Sequence, residues 1–239
     1  MRPRAPVKHV GGMSGPTAPR TPWSVRGLAL AAVVATALLV PPYLVPGGET
    51  LVSRDDALLR LLLLTHVAGA GAAICLGTLQ LVPRIRRRRR VHRALGRAFL
   101  LLGSVAFVVT GLPLALTTEN DVARYGLLVP VLLWPVFAVA GFAAIRRRDA
   151  TGHRRWMIRL YAVSFFAITA RMVVPVLMLL QLPVLGSRYG GDVEAMVEAT
   201  VPIGQWLGWI VNLTIAELVI RHGAERHGRV ATETVSGTP

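Results

Sequence analysis

Six stretches of this chain, residues 27–48, 61–83, 98–118, 125–145, 160–187 and 201–220, run for roughly 20 residues with no charge or a single one. A bilayer hydrocarbon core about 30 Å thick is crossed by about 20 apolar residues in a helix. Lipid offers no partners to backbone N–H and C=O groups, so a run of that length must pair them internally as a helix. The expectation is an all-α integral membrane bundle of about six transmembrane helices over residues 26–222. Composition agrees, with 53% hydrophobic and only 16% charged residues among 239, a balance that soluble domains of this size rarely show.

The chain is also strongly basic, with 27 Lys and Arg against 12 Asp and Glu. In a soluble protein that excess would suggest nucleic acid, but here the arginines stand between apolar runs, where they mark loops retained in the cytoplasm. Nucleic acid is therefore not expected as a partner. With the N-terminus inside, 22 of the 27 basic residues fall on the N-terminal tail, the loops 84–97 and 146–159, and the C-terminal tail. Four fall outside, Arg54, Arg60, Arg124 and Arg188, together with eight of the 12 acidic residues. Both termini are thus expected on the cytoplasmic side of a cell membrane. The first apolar run ends in Pro41, Pro42 and Pro46 without a small-x-small cleavage site, so it reads as an uncleaved anchor. Residues 1–25 and 223–239 are polar and read as disordered tails. The loop 84–90 carries the arginine run Arg86 to Arg90, which suits anionic lipid head groups and also suffices as a topology determinant.

Several chemistries are excluded. The only cysteine, Cys75, lies in an apolar run, so neither an intramolecular disulfide nor a cysteine-rich metal site is available. No Gly-rich phosphate loop, nucleophile elbow or paired zinc-histidine helix motif occurs, and outer loops of roughly 6–15 residues are too short for a catalytic domain. No catalytic residue is assigned.

What remains is a set of polar groups at membrane depth. Arg171 is the one basic residue inside a span, and a guanidinium at mid-bilayer costs roughly 2.5–3.5 kcal/mol on insertion scales, so the protein must compensate it. His66 and Gln80 share a face of the second span with Ala70, Ala73 and Gly77, which leaves room for a closely packed helix or a flat cofactor. At about 1.5 Å per residue, His66 lies about 26 Å and Arg171 about 17 Å from the cytoplasmic ends of their spans, with Asn212 at about 12 Å and Glu217 at about 5 Å. His66, Arg171, Gln80 and Asn212 therefore form a candidate ligand-binding or polar core. Arg171 either meets a ligand there, caps broken backbone near Pro175, or locks helices through carbonyls. Glu217 is better placed for Arg159 or a cytoplasmic histidine. Arg93, Arg154, Arg155, Arg159 and Glu217 make a separate cluster on the cytoplasmic side.

In that second cluster, His92-Arg93 begins the third span and His153-Arg154-Arg155-Trp156 the fifth. Imidazole is a common axial ligand of haem iron and arginine a natural partner of its propionates, so His92 and His153 are candidate ligands of a haem b. The alternative is a pair of interfacial residues with Trp156 as a belt anchor and the arginines snorkelling.

The ordered pieces His66 and Gln80, then His92-Arg93-x-x-Gly96-Arg97, then His153-Arg154-Arg155-Trp156-Met157-Ile158-Arg159, then Arg171, resemble a family of bacterial predicted membrane proteins, domain of unknown function 2306. The resemblance covers about residues 58–221. It implies a multi-pass protein of the inner, cytoplasmic membrane and no substrate. A weaker resemblance is to transmembrane cytochromes b. The chain departs from that pattern because His66 is the sole outer-half histidine, so at most one haem is expected, through His92 and His153, unless Met172 or Met178 serves opposite His66. Three functions stay open: a sensor- or transporter-like protein holding a small anionic or quinone-like ligand, a single-haem redox protein, and a structural or partner-binding membrane subunit of undetermined oligomeric state.

Overall fold

The computed structural model describes residues 23–39 and 57–236, and all regular structure among them is helical. Five helical stretches are long and apolar enough to cross a membrane: Ala57–Gln80, Arg89–Leu116, Asp121–Arg146, Phe166–Tyr189 and Val193–Ala224. The first helix, α1 (Trp23–Leu39), has 17 residues and is apolar over Gly27–Leu38, short of that length. Residues 40–48 of the first apolar run, and 1–22 of the expected N-terminal tail, lie outside the described residues. The expected six spans thus become five long helices and one shorter apolar helix among the described residues.

The remaining elements are α2 (Ala57–Gln80), α3 (Pro83–Arg87), α4 (Arg89–Gly103), a π-helical segment (Ser104–Gly111), α5 (Leu112–Leu116), α6 (Asp121–Arg146), α7 (Ala150–Ser164) and α8 (Phe166–Gln181). A single 3₁₀ turn (Leu182–Val184), α9 (Leu185–Tyr189) and α10 (Val193–Ser236) complete the chain. The loop expected over 84–97 is mostly helical, because Pro83 at a helix start and the arginines after it are compatible with helix. The last helix likewise continues through 223–236, where the sequence predicts a disordered tail. Only Gly223 and Gly228 interrupt that segment, and extending a formed helix needs no new nucleus.

Helix ends follow local chemistry. Asn120 accepts the Ala123 N–H at 3.0 Å to start α6, and Asp149 accepts the Gly152 N–H at 2.7 Å to start α7. Gly190 and Gly191 take positive φ, 61° and 83°, in the turn before α10.

Two irregularities break the helices that the sequence draws as continuous. The second long helix passes through the eight-residue π segment, just before Pro113, which has no N–H to offer the carbonyl of Val109. The fifth apolar run divides at Phe165 into α7 and α8. There Ser164 Oγ donates back to Leu160 O at 2.9 Å, a contact that bends helices, and itself accepts the Trp134 Nε1–H at 3.0 Å.

Trp134 on α6 is 1% exposed and forms the centre of the core with Phe99, Phe107, Leu160, Val163 and Phe166. It stacks on Phe107 with ring centroids 5.7 Å apart and meets Phe99 edge-on at 6.4 Å. Gly103 makes this fit possible, since a Cβ there would overlap the indole. Around this centre α2 packs on α4 and the π segment, α6 on α7, and α8 on α10, while α10 also touches α6 and α7. The outward surface is apolar, with Leu101, Val109, Val139, Met172, Leu179 and Leu180 each more than half exposed. Water would not tolerate so large a continuous apolar surface, whereas lipid requires one.

Candidate functional site

His66 lies across the π segment. A carbonyl can only accept, so the 2.7 Å contact between His66 Nδ1 and Ala106 O places the proton on Nδ1, and in the neutral ring Nε2 keeps its lone pair. Thr110 Oγ1 donates to the same carbonyl at 3.0 Å. The His66 bond meets the backbone inside the π segment, whereas the Thr110 bond is the i−4 back-bond that ordinary α-helices also make. Gly111 supplies the space, for a Cβ there would come 2.6 Å from Ala106 O and 3.3 Å from the His66 ring.

Arg171 projects from α8 and is exposed on the apolar outer surface next to Met172. Its one hydrogen bond among the described residues is Nη1–H to Ala167 O of its own helix, at 3.2 Å. It therefore neither caps the backbone at Pro175 nor ties α8 to a neighbouring helix. Its charge bears on His66 only at long range, and no hydrogen bond joins the two side chains among the described residues.

The other two members of the expected polar core make bonds of their own. Asn212 on α10 donates from Nδ2 to Ala162 O at 3.1 Å and accepts the Thr169 hydroxyl on Oδ1 at 2.9 Å. It bridges the break between α7 and α8, satisfying a carbonyl of the last turn of α7. Gln80 donates to His92 O at 3.2 Å and so fastens the end of α2 to the start of α4. At Gly77 the small-residue face between His66 and Gln80 is covered by side chains, with Gly77 directly beneath the Tyr161 ring and near Phe99. Tyr161 OH meets Thr78 Oγ1 at 2.5 Å, while Thr78 donates to Ile74 O.

On the expected cytoplasmic side, Arg159 donates from Nε and Nη2 to the two carboxylate oxygens of Glu217 at 2.5 and 2.9 Å, and its guanidinium lies 4.8 Å from the Trp156 ring centre. This bidentate pair joins α7 to α10. Arg93 donates to Arg89 O at 3.3 Å, and Arg154 and Arg155 are exposed. His153 donates from Nδ1 to Gly141 O at 2.8 Å, which leaves Nε2 as its remaining ring nitrogen. His92 is close enough to feel both His153 and Arg86, and its Nδ1 is buried without a hydrogen-bond partner. No group of three or more His, Cys, Asp or Glu suited to a metal occurs among the described residues.

Sequence reasoning singled out Gln181 as a polar group within a span but gave it no role in closing this end of the bundle. Gln181 donates to Thr200 Oγ1 at 2.9 Å and accepts from Tyr189 OH at 2.5 Å, locking α8, α9 and α10 together. It also passed over Gly204-x-x-x-Gly208, a readable close-packing signature. A Cβ at Gly208 would fall 2.8 Å from Phe166 O, and one at Gly204 would overlap Val174.

No curated protein and no solved structure matches this chain. The family model described as "Predicted membrane protein (DUF2306)" matches residues 63–220, well over half of the chain, which spans the bundle from α2 to α10. With several apolar helices of spanning length and this match, the chain belongs to that family of predicted membrane proteins.

Proposed function

We propose that the protein is a multi-pass protein of the cytoplasmic membrane, with both termini inside, that holds a small anionic or quinone-like ligand between His66 and Arg171. One observation carries this reading. A guanidinium within an apolar span has a single intrahelical hydrogen bond among the described residues, while it offers five N–H donors. At such a depth the uncompensated donors need acceptor oxygens, and the oxygens of an anion or a quinone carbonyl meet that need. The His66 ring, fixed by Ala106 O, supports the reading as a second polar group on which that charge bears. Arg171 is exposed at the lipid-facing surface, so a ligand would arrive sideways from the bilayer.

The test is thermal unfolding of the purified protein with short-chain ubiquinone and menaquinone analogues, acetate, bicarbonate and phosphate. At least one should raise Tm by a few degrees, and Arg171→Leu, which still inserts, should abolish that rise. If none of these probes stabilises the wild type, the reading fails.

A second reading has its own support at the other end of the bundle. The buried Nδ1 of His92 has no partner, His153 stands beside it, and the His153 bond to Gly141 O is the outer-shell arrangement common to metal-ligating histidines. His92 and His153 would hold one haem b, which would supply one-electron redox chemistry. Sharp α and Soret bands in dithionite-reduced protein are then expected, and a featureless spectrum from cells supplied with haem precursor rules it out.

A further inference from the structure

Where α10 leaves the apolar part of the bundle, a cleft of about 740 Å³ opens between three elements. Its walls are Ile215, Leu218 and Val219 of α10 below, and Arg86 of α3, Arg154 of α7 and His222 of α10 above. Leu218 and Val219 are half exposed and belong to the lipid-facing surface. His222 has its Nδ1–H engaged by Leu218 O at 2.7 Å, which leaves Nε2 as its remaining polar group. Neither arginine forms an ion pair among the described residues, in contrast to Arg124 with Asp121 and Arg159 with Glu217. The cleft therefore has a cationic rim over an aliphatic floor, and it lies at the border between the apolar span and the arginine-rich end of the bundle.

That order of chemistry matches one molecule already present at such a border. The geometry points to a specific binding site for an anionic phospholipid, its phosphate between Arg86 and Arg154 and the upper part of an acyl chain along Ile215, Leu218 and Val219. A soluble anion would use the rim and leave the aliphatic floor uncovered. A neutral lipid would use the floor and leave two guanidiniums without a counter-charge. The site is more selective than the general attraction of a basic loop for an anionic surface, since Arg86 and Arg154 come from separate elements and only the folded bundle brings them together. It is independent of the His66 and Arg171 site.

Charge-matched variants decide the matter. The full-length protein, as wild type, as Arg86→Gln/Arg154→Gln, and as Arg87→Gln/Arg155→Gln, is compared by native mass spectrometry for retention of dioleoylphosphatidylglycerol against dioleoylphosphatidylcholine. Both double variants lose two positive charges, but Arg87 and Arg155 do not line the cleft. We expect the wild type and the Arg87/Arg155 variant to retain phosphatidylglycerol selectively, and the Arg86/Arg154 variant to retain about 30-fold less, which is about 1 kcal/mol for each of the two basic residues removed. Ile215→Trp, which fills the floor without touching the rim, should weaken retention in the same way. Equal losses in the two charge variants, or none in either, would overturn the site, as would displacement of the lipid by inorganic phosphate alone at millimolar concentration.

Discussion

Trp134 shows how a single side chain settles several helices at once. Its indole fills the space left by Gly103, stacks on Phe107 and donates to Ser164 at the break between α7 and α8. Replacing it with Phe removes the donor but keeps most of the volume, and about 1 kcal/mol of stability should be lost. Replacing it with Ala opens a cavity and should remove about 3 kcal/mol or more. Denaturation of the purified variants in a fixed detergent reads both, and equal losses for Phe and Ala would mean that packing of the ring plays little part. Little of this was visible in the sequence, because a tryptophan in an apolar run reads the same whether it faces lipid or the core. The Arg159 and Glu217 pair was visible as one of two options, since rise per residue put Glu217 within reach of either Arg159 or a cytoplasmic histidine. The same counting placed Asn212 next to Arg171, and it missed because Asn212 finds its partners at a backbone break that no residue type announces.

At the scale of elements, α8 and α10 owe their close approach to Gly204 and Gly208. Lipid tails are as apolar as the helices, so association depends on close packing and interhelical hydrogen bonds, not on escape from water. Gly208→Leu puts a branched side chain against Phe166 O and Ala170 and should destabilise the protein by about 1–3 kcal/mol. The α8 contacts would open first, seen as faster thiol labelling of a cysteine introduced at Ala170. Unchanged labelling and Tm would show that the two helices tolerate a wider spacing. The helices themselves were legible as charge-free runs. Their interruptions were not, since the π segment and the Phe165 break lie inside uniformly apolar sequence, where only Pro113 and Ser164 hint at a departure from α-helix.

For the whole molecule, the distribution of arginines makes a prediction about sidedness. With both termini inside, the turns at 117–120 and 190–192 face outward and the turn at 147–149 faces the cytoplasm. In a Cys75→Ser background, a membrane-impermeant maleimide applied to intact cells should label Glu119→Cys and Gly191→Cys, and should reach Arg148→Cys only after permeabilisation. The reverse pattern would invert the bundle and put the cleft of Arg86 and Arg154 on the outer face. Class and approximate span count were legible because the bilayer allows few solutions. How the four candidate residues are held was not legible: Gln80 and Asn212 serve joints between helices, His66 bonds the π segment, and Arg171 bonds only its own helix among the described residues.

The π segment carries one more consequence. A wide turn accommodates a residue that an α-helix would not need, so relative to an unbroken helix everything beyond Gly111 is rotated by about 100°, one residue's worth of phase. Deleting lipid-facing Val109 would let the turn tighten to ordinary pitch while leaving Leu112–Leu116 on the heading they already have. What such a deletion takes away is the carbonyl turned toward His66, so the fold could outlive the shortening while the histidine loses its anchor.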